Sequence, residues 1–224
     1  MILSQNILSL SPDNTYNTED FIISSSNLNS YNLITNYTKI WGTEPFRNTL
    51  IIQGPKSSGK TYLGKIWQNL LKAEFINYKK KLNISWIKQL QGFIIDDFDN
   101  INWDEELLLR YFNIINEHKK YLLIFFTNIP NTKLPDLNSR IGATYKVKIL
   151  MPDETFIKNL LVKNFSKYSI NIEKEVIAYI VNILSREYFK IINFVKNVNE
   201  YSLQYKRKIT IPLIKEIIAL DRTF

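Results

Sequence analysis

No cysteine occurs among the 224 residues, which excludes disulfides, thiolate zinc sites and cysteine nucleophiles. Histidine occurs once, as His118 in the polar stretch NEHKK, so no histidine metal cluster can form, and the residue reads as a solvated helix end. Long apolar runs are missing as well. The longest, Tyr121 to Phe126, has the length of a buried strand and falls far short of the roughly 20 residues that span a bilayer. The opening MILSQNILSL lacks the basic segment of a signal peptide. A reducing, cytoplasmic setting with no membrane association is therefore expected.

What is present suffices for one substantial core and a small appendage, since hydrophobic residues make up 45% of the chain. The formal net charge of +8 permits contact with nucleic acid or an acidic protein surface. Only Tyr78 to Lys81 and Tyr205 to Lys208 concentrate that charge; elsewhere it is spread over a chain rich in Lys, Asn, Ile and Tyr, as on solvated faces.

Four apolar runs predict strands: Thr49 to Gln53, Phe75 to Tyr78, Phe93 to Ile95, and Tyr121 to Thr127. Helical patterning at Tyr62 to Lys72 and Glu105 to Asn116 lies between them, so strands alternate with helices and a parallel α/β sheet is expected. The strongest runs are continuous rather than alternating, as in strands covered on both faces. After Met151-Pro152 the pattern becomes helical, with proline and acids opening a helix, then apolar stripes from Ile172 to Leu184 and from Tyr188 to Ser202. Thr210 is placed to cap a last helix, Ile211 to Leu220. Three regions result: a tail at 1–18, an α/β nucleotide-binding domain at 19–151, and a small all-helical lid at 152–224.

The segment Gly54-Pro55-Lys56-Ser57-Ser58-Gly59-Lys60-Thr61 fits the phosphate-binding pattern G-x-x-x-x-G-K-[ST], and it follows a strand and opens a helix as that pattern requires. Glycines let the backbone turn tightly so that successive N–H groups face phosphate oxygens, and the helix start adds a favourable dipole. Lys60 would bridge the β- and γ-phosphates, with Thr61 holding Mg²⁺ through its hydroxyl. The strand Phe93-Ile94-Ile95 ends in two acids. Asp96 is the candidate magnesium partner and Asp97 the candidate water-activating acid, although a pair of acids after a strand can also cap a helix. Asn128, after the fourth strand, is a candidate for touching the γ-phosphate, or else a turn residue before Pro130. Arg140 fits either a finger on a neighbouring subunit's nucleotide or a surface salt bridge.

Together these residues resemble the nucleotide-binding module of the replication initiator DnaA and, more closely, the Hda family of regulatory inactivators of DnaA, AAA+ proteins with a P-loop sheet and helical lid. The likeness runs over nearly the whole chain. Glu19 to Asn27, EDFIISSSN, resembles the family's N-terminal box, which lies against the adenine and so implies base contacts for Phe21 and Ile22. Asn128 falls in the sensor I region, LPDLNSR (134–140) resembles the segment presenting the arginine finger, and KRKITIPLIKEI (206–217) is similar to the family's terminal segment. The sensor II arginine position falls on Phe189, with Arg186 three residues earlier; one helical turn would place both on one face and bring Arg186 to the phosphate. In QNILSL, Gln5, Leu8 and Leu10 keep the spacing of the family's clamp-docking peptide, while Asn6 and Ser9 depart from it.

The resemblance implies a regulator of replication initiation that binds ATP or ADP with Mg²⁺. It would promote hydrolysis of DnaA-bound ATP while tethered to the DNA polymerase sliding clamp. With the chain ending at Phe224, no helix-turn-helix domain and no sequence-specific duplex binding are expected. The basic segments keep open a helicase-loader-like ATPase on single-stranded DNA, and the P-loop alone keeps open a small-molecule kinase. Whether ATP is hydrolysed or ADP held as a stable ligand, and whether the chain forms a homo-oligomer, the residues leave undecided.

Overall fold

The computed structural model describes residues 16–38, 41–77, 83–98 and 104–220. Gln5, Leu8, Leu10 and the lysines of the first basic run lie outside them. Five parallel strands form one sheet in the order β2-β3-β4-β1-β5: β1 (Thr49–Gln53), β2 (Glu74–Phe75), β3 (Gly92–Ile95), β4 (Tyr121–Phe126) and β5 (Tyr145–Lys148). The expected parallel α/β sheet is present, but the second strand is short and starts one residue early. Beyond it, the Ile76 N–H donates to the Ile94 carbonyl at 2.8 Å.

Side chains alternate across a strand, and here both faces are apolar. Leu50, Ile52, Ile94, Leu123 and Phe125 face a core closed by α1 (Leu28–Thr35) and α2 (Lys60–Leu71). Ile51, Phe93, Ile95, Leu122, Ile124 and Phe126 face the opposite core, closed by α3 (Ile84–Gln89), α4 (Glu105–Glu117) and α5 (Pro135–Ala143). Helix α2 rides close to the sheet at Gly64, where an added Cβ would stand 2.9 Å from the Phe125 ring and 3.0 Å from that of Phe75. Asp104 starts α4 by accepting the N–H groups of Glu106 and Leu107, and His118 ends it.

The C-terminal part is helical throughout: α6 (Glu154–Lys167), α7 (Lys174–Ile183), α8 (Tyr188–Tyr205) and α9 (Ile211–Leu220), packed on a core of their own. Asp153 caps α6 by accepting the Phe156 N–H at 2.7 Å, the helix start that Pro152-Asp153-Glu154 predicts. No helix among the described residues is long and apolar enough to cross a membrane.

Candidate nucleotide site

The P-loop begins where β1 ends. The Gly54 N–H donates to the Phe126 carbonyl at 3.0 Å, and the Ile149 N–H donates to the Gln53 carbonyl at 2.7 Å, so both neighbouring strands pin its entrance. A Cβ on Gly54 would meet Ser58 Oγ at 2.8 Å and Ile149 Cβ at 2.9 Å, which leaves room for glycine alone. Two residues take the left-handed conformation, Ser57 at φ 64 and Gly59 at φ 90, and the second is the N-cap of α2. This curls the backbone into a concavity ending on a helix start, whose first-turn N–H groups stand outside the helix ladder.

Lys60 is only 6% exposed, and its ammonium donates to the carbonyls of Gly54 at 2.8 Å and Pro55 at 3.0 Å. It therefore sits under the loop it would serve. Thr61 Oγ1 donates to Asp96 Oδ2 at 2.6 Å, so a hydroxyl from the first turn of α2 and a carboxylate from the end of β3 converge. Hard oxygen donors of this kind suit Mg²⁺, and Thr61 and Asp96 are the residues that would hold it. Burial raises the Asp96 pKa; the Thr61 hydroxyl counters, and the neighbouring Asp97 adds to the rise. Asp97 itself is exposed, at φ 51, with its N–H on Asp96 Oδ1 at 3.0 Å.

Two clefts adjoin at the P-loop. The first is lined by Lys56, Ser57, Gly59, Lys60, Thr61, Asp97, Thr127 and Ile192, which is the phosphate side. The second is mainly apolar and runs between the N-terminal segment and the lid, lined by Phe21, Ile22, Tyr62, Phe156, Leu160, Tyr188 and Ile192 with Ser57, Ser58 and Gly59 at its base. Its apolar walls suit a flat base, and the N–H groups and ammonium of the first suit phosphates. Phe21 stacks at 5.8 Å on Tyr31, and its ring lies 3.1 Å from where a Gly59 Cβ would be, so the N-terminal segment is wedged directly against the P-loop.

Some sequence expectations land elsewhere. Arg186 does not share a helical face with Phe189, because α8 starts at Tyr188 and Arg186 lies in the turn before it. The Arg186 guanidinium pairs with Glu154 at 2.9 Å, its side chain 59% exposed, and it lines neither cleft. Phe189 is the one turned to the P-loop, with the Lys56 ammonium 4.7 Å from its ring centroid. Asn128 is exposed just past β4, while Thr127 lines the phosphate cleft. Arg140 lines neither cleft: Leu137 and Ile141 bury one side of α5, and Arg140, one position off that stripe, pairs with Asp136 at 3.3 Å over the Phe46 ring. In the second basic run, Arg207 pairs with Glu216 at 2.7 Å and Lys208 with Glu173 at 2.8 Å.

The lid residues of the base cleft, Phe156, Leu160, Tyr188 and Ile192, escaped the sequence reading. Their stripes read as core, and only the fold of α6 and α8 over the N-terminal segment reveals their second face. Tyr62 carried a usable signal, since it directly follows the P-loop threonine.

Residues 153–218 match the family model described as the Hda lid domain. An uncharacterized protein of Haemophilus influenzae is 28% identical over 191 residues, covering 75% of this chain and 80% of the relative. Domain III of the Thermotoga maritima replication initiation protein DnaA superposes with a TM-score of 0.73 at 20% identity, covering 93% of this chain and 96% of that one. AMPPCP-bound DnaA from Aquifex aeolicus superposes at 0.66 with 17% identity, over 87% of this chain and 70% of its own.

Proposed function

We propose that this chain, whose lid matches the Hda lid domain and whose fold is that of DnaA domain III, regulates replication initiation by holding ATP or ADP and promoting hydrolysis of the ATP bound to DnaA. The observation that carries this reading is the position of Arg140. It is absent from both clefts of its own P-loop and stands on α5 beside Asp136 and Phe46, where the phosphates of a nucleotide on another protein would compete with Asp136 for its charge. An arginine delivered in this way offsets the negative charge that grows during phosphoryl transfer. The chain's own nucleotide then serves the architecture: the base sits between the N-terminal segment and the lid, and phosphates lie on the P-loop over Lys60. Bound Mg²⁺, held by Thr61 and Asp96, would neutralise phosphate charge.

Gln5, Leu8 and Leu10 dock on the sliding clamp and bring the module to DNA, in the cytoplasm. In the second basic run Glu216 and Glu173 partly offset the charge of Arg207 and Lys208, which favours the regulator over a single-stranded DNA channel. Purified chain mixed with ATP-bound DnaA and clamp-loaded DNA should raise phosphate release. A Gln5→Ala, Leu8→Ala variant should lose the enhancement that clamp-loaded DNA gives while keeping its nucleotide. Equal phosphate release with and without the wild-type chain would sink the proposal.

A further inference from the structure

The run Ser24-Ser25-Ser26 is assigned no role by the P-loop chemistry, yet all three hydroxyls are engaged at the lid hinge. Tyr188 Oη lies 3.0 Å from the Leu150 carbonyl and 3.1 Å from Ser26 Oγ, and Ser26 Oγ lies 2.7 Å from Ser24 Oγ. The proton directions follow from the end of this chain. A carbonyl can only accept, so the Tyr188 hydroxyl donates to Leu150; its proton being used, it accepts from Ser26, which in turn accepts from Ser24. Ser24 Oγ also receives the Ser26 N–H at 3.2 Å. Beside this relay, the Leu150 N–H donates to the Ser26 carbonyl at 2.9 Å, and Ser25 Oγ donates to Asp153 Oδ2 at 2.7 Å.

The relay therefore joins three bodies: the N-terminal segment through Ser24 and Ser26, the chain leaving β5 through Leu150, and the lid through Tyr188. Tyr188 is 2% exposed, and its ring lies edge-on to Phe156 at 5.4 Å, both rings lining the base cleft. The N-terminal wall of that cleft, Phe21 and Ile22, is separated from the serine run by Ile23 alone. We propose that Ser24, Ser26 and Tyr188 form a clasp that fixes the lid angle and holds the base cleft closed, so that Tyr188 is a positioning residue for the nucleotide base. The proposal rests on the nucleotide reading of the two clefts. It adds that base retention and lid angle depend on one directional chain of hydroxyls.

The test is the release rate of mant-labelled ADP from the full chain, set beside the affinity for tripolyphosphate, which fills the phosphate side and has no base. Breaking one buried neutral hydrogen-bond chain should speed mant-ADP release about fivefold in Tyr188→Phe and about fivefold in Ser26→Ala. The double variant should again show about fivefold, not about 25-fold, because both changes break the same chain. Tripolyphosphate affinity should stay at the wild-type value in all three. Unchanged release, multiplicative release, or parallel weakening of tripolyphosphate would each overturn the clasp. Should Tyr188→Phe fail to fold, Ser26→Ala and Ser24→Ala carry the same comparison. A wild-type chain that binds tripolyphosphate but no mant-ADP would overturn the base-cleft reading itself.

Discussion

Asp96 stands under opposed demands. It must stay ionised to serve a cation, yet its burial favours the neutral acid and raises its pKa. A carboxyl whose pKa is higher folded than unfolded binds its proton more tightly in the native state. Its contribution to stability is then fullest at pH values below the unfolded pKa and is lost as pH rises through the folded pKa. Asp96→Asn removes the ionised form while keeping an oxygen for the Asp97 N–H and an amide N–H that donates to Thr61 Oγ1. We expect it to raise the melting midpoint of the nucleotide-free chain at pH 7 by roughly 2 °C, with the gain vanishing near pH 3, and to abolish Mg²⁺-dependent tightening of nucleotide binding. Thermal melts at the two pH values check the sign. The phosphate side was legible in sequence because its ligands are contiguous: Gly54 to Thr61 and Asp96-Asp97 each lie on one strand end. Arg186 was misplaced for the complementary reason. Spacing of three implies a shared face only inside a helix, and α8 begins two residues too late.

Helix α5 presents Arg140 but has no side-chain cap of its own at Leu134. The chain entering it is braced from α4: Glu105 Oε2 accepts the Lys133 N–H at 2.8 Å and the Leu134 N–H at 3.3 Å, just before the first turn. A carboxylate at a helix start offsets the dipole as well as satisfying donors, worth about 1 kcal/mol. Glu105→Ala should speed hydrogen exchange at the Lys133 and Leu134 amides by about fivefold and lower the action on DnaA, leaving nucleotide affinity untouched. Glu105→Gln, which keeps an acceptor oxygen, should recover most of both. Element recognition in the sequence follows the same logic of visibility. Strands β1, β3 and β4 are buried on both faces and show as apolar runs. Strand β5 sits at the sheet edge, pairs only with β1 and reads YKVK, so no apolar run marks it. Helix α1, LNSYNLIT, buries only Ser30, Leu33 and Ile34, too few to set a stripe.

At the scale of the molecule, the proposed nucleotide would bridge three parts that the sequence shows only as neighbours in order: N-terminal segment, P-loop and lid. The chain's fold class and helical lid were legible because alternation and periodicity are local. Of the base cleft only the wall of Phe21 and Ile22 was expected; its lid wall was not, because Tyr188 is distant in sequence and joins that wall only when α6 and α8 fold back. Ligand that binds only the native state stabilises it by mass action, about 2.7 kcal/mol at a hundredfold excess over Kd. ADP with Mg²⁺ should accordingly raise the melting midpoint of the wild-type chain by several degrees. Lys60→Ala, deprived of its ammonium under the loop, should bind roughly tenfold to a hundredfold more weakly and show little shift.

The proposed role of Arg140 lies outside its own site. Its most direct test is single-turnover hydrolysis of labelled ATP held by DnaA, with clamp-loaded DNA, comparing the wild-type chain with Arg140→Ala. The wild type should accelerate hydrolysis. Arg140→Ala should keep its nucleotide and its clamp capture, yet lose the acceleration by a factor on the order of a thousand, the scale of an arginine delivered in trans. Equal acceleration by both proteins would contradict the account.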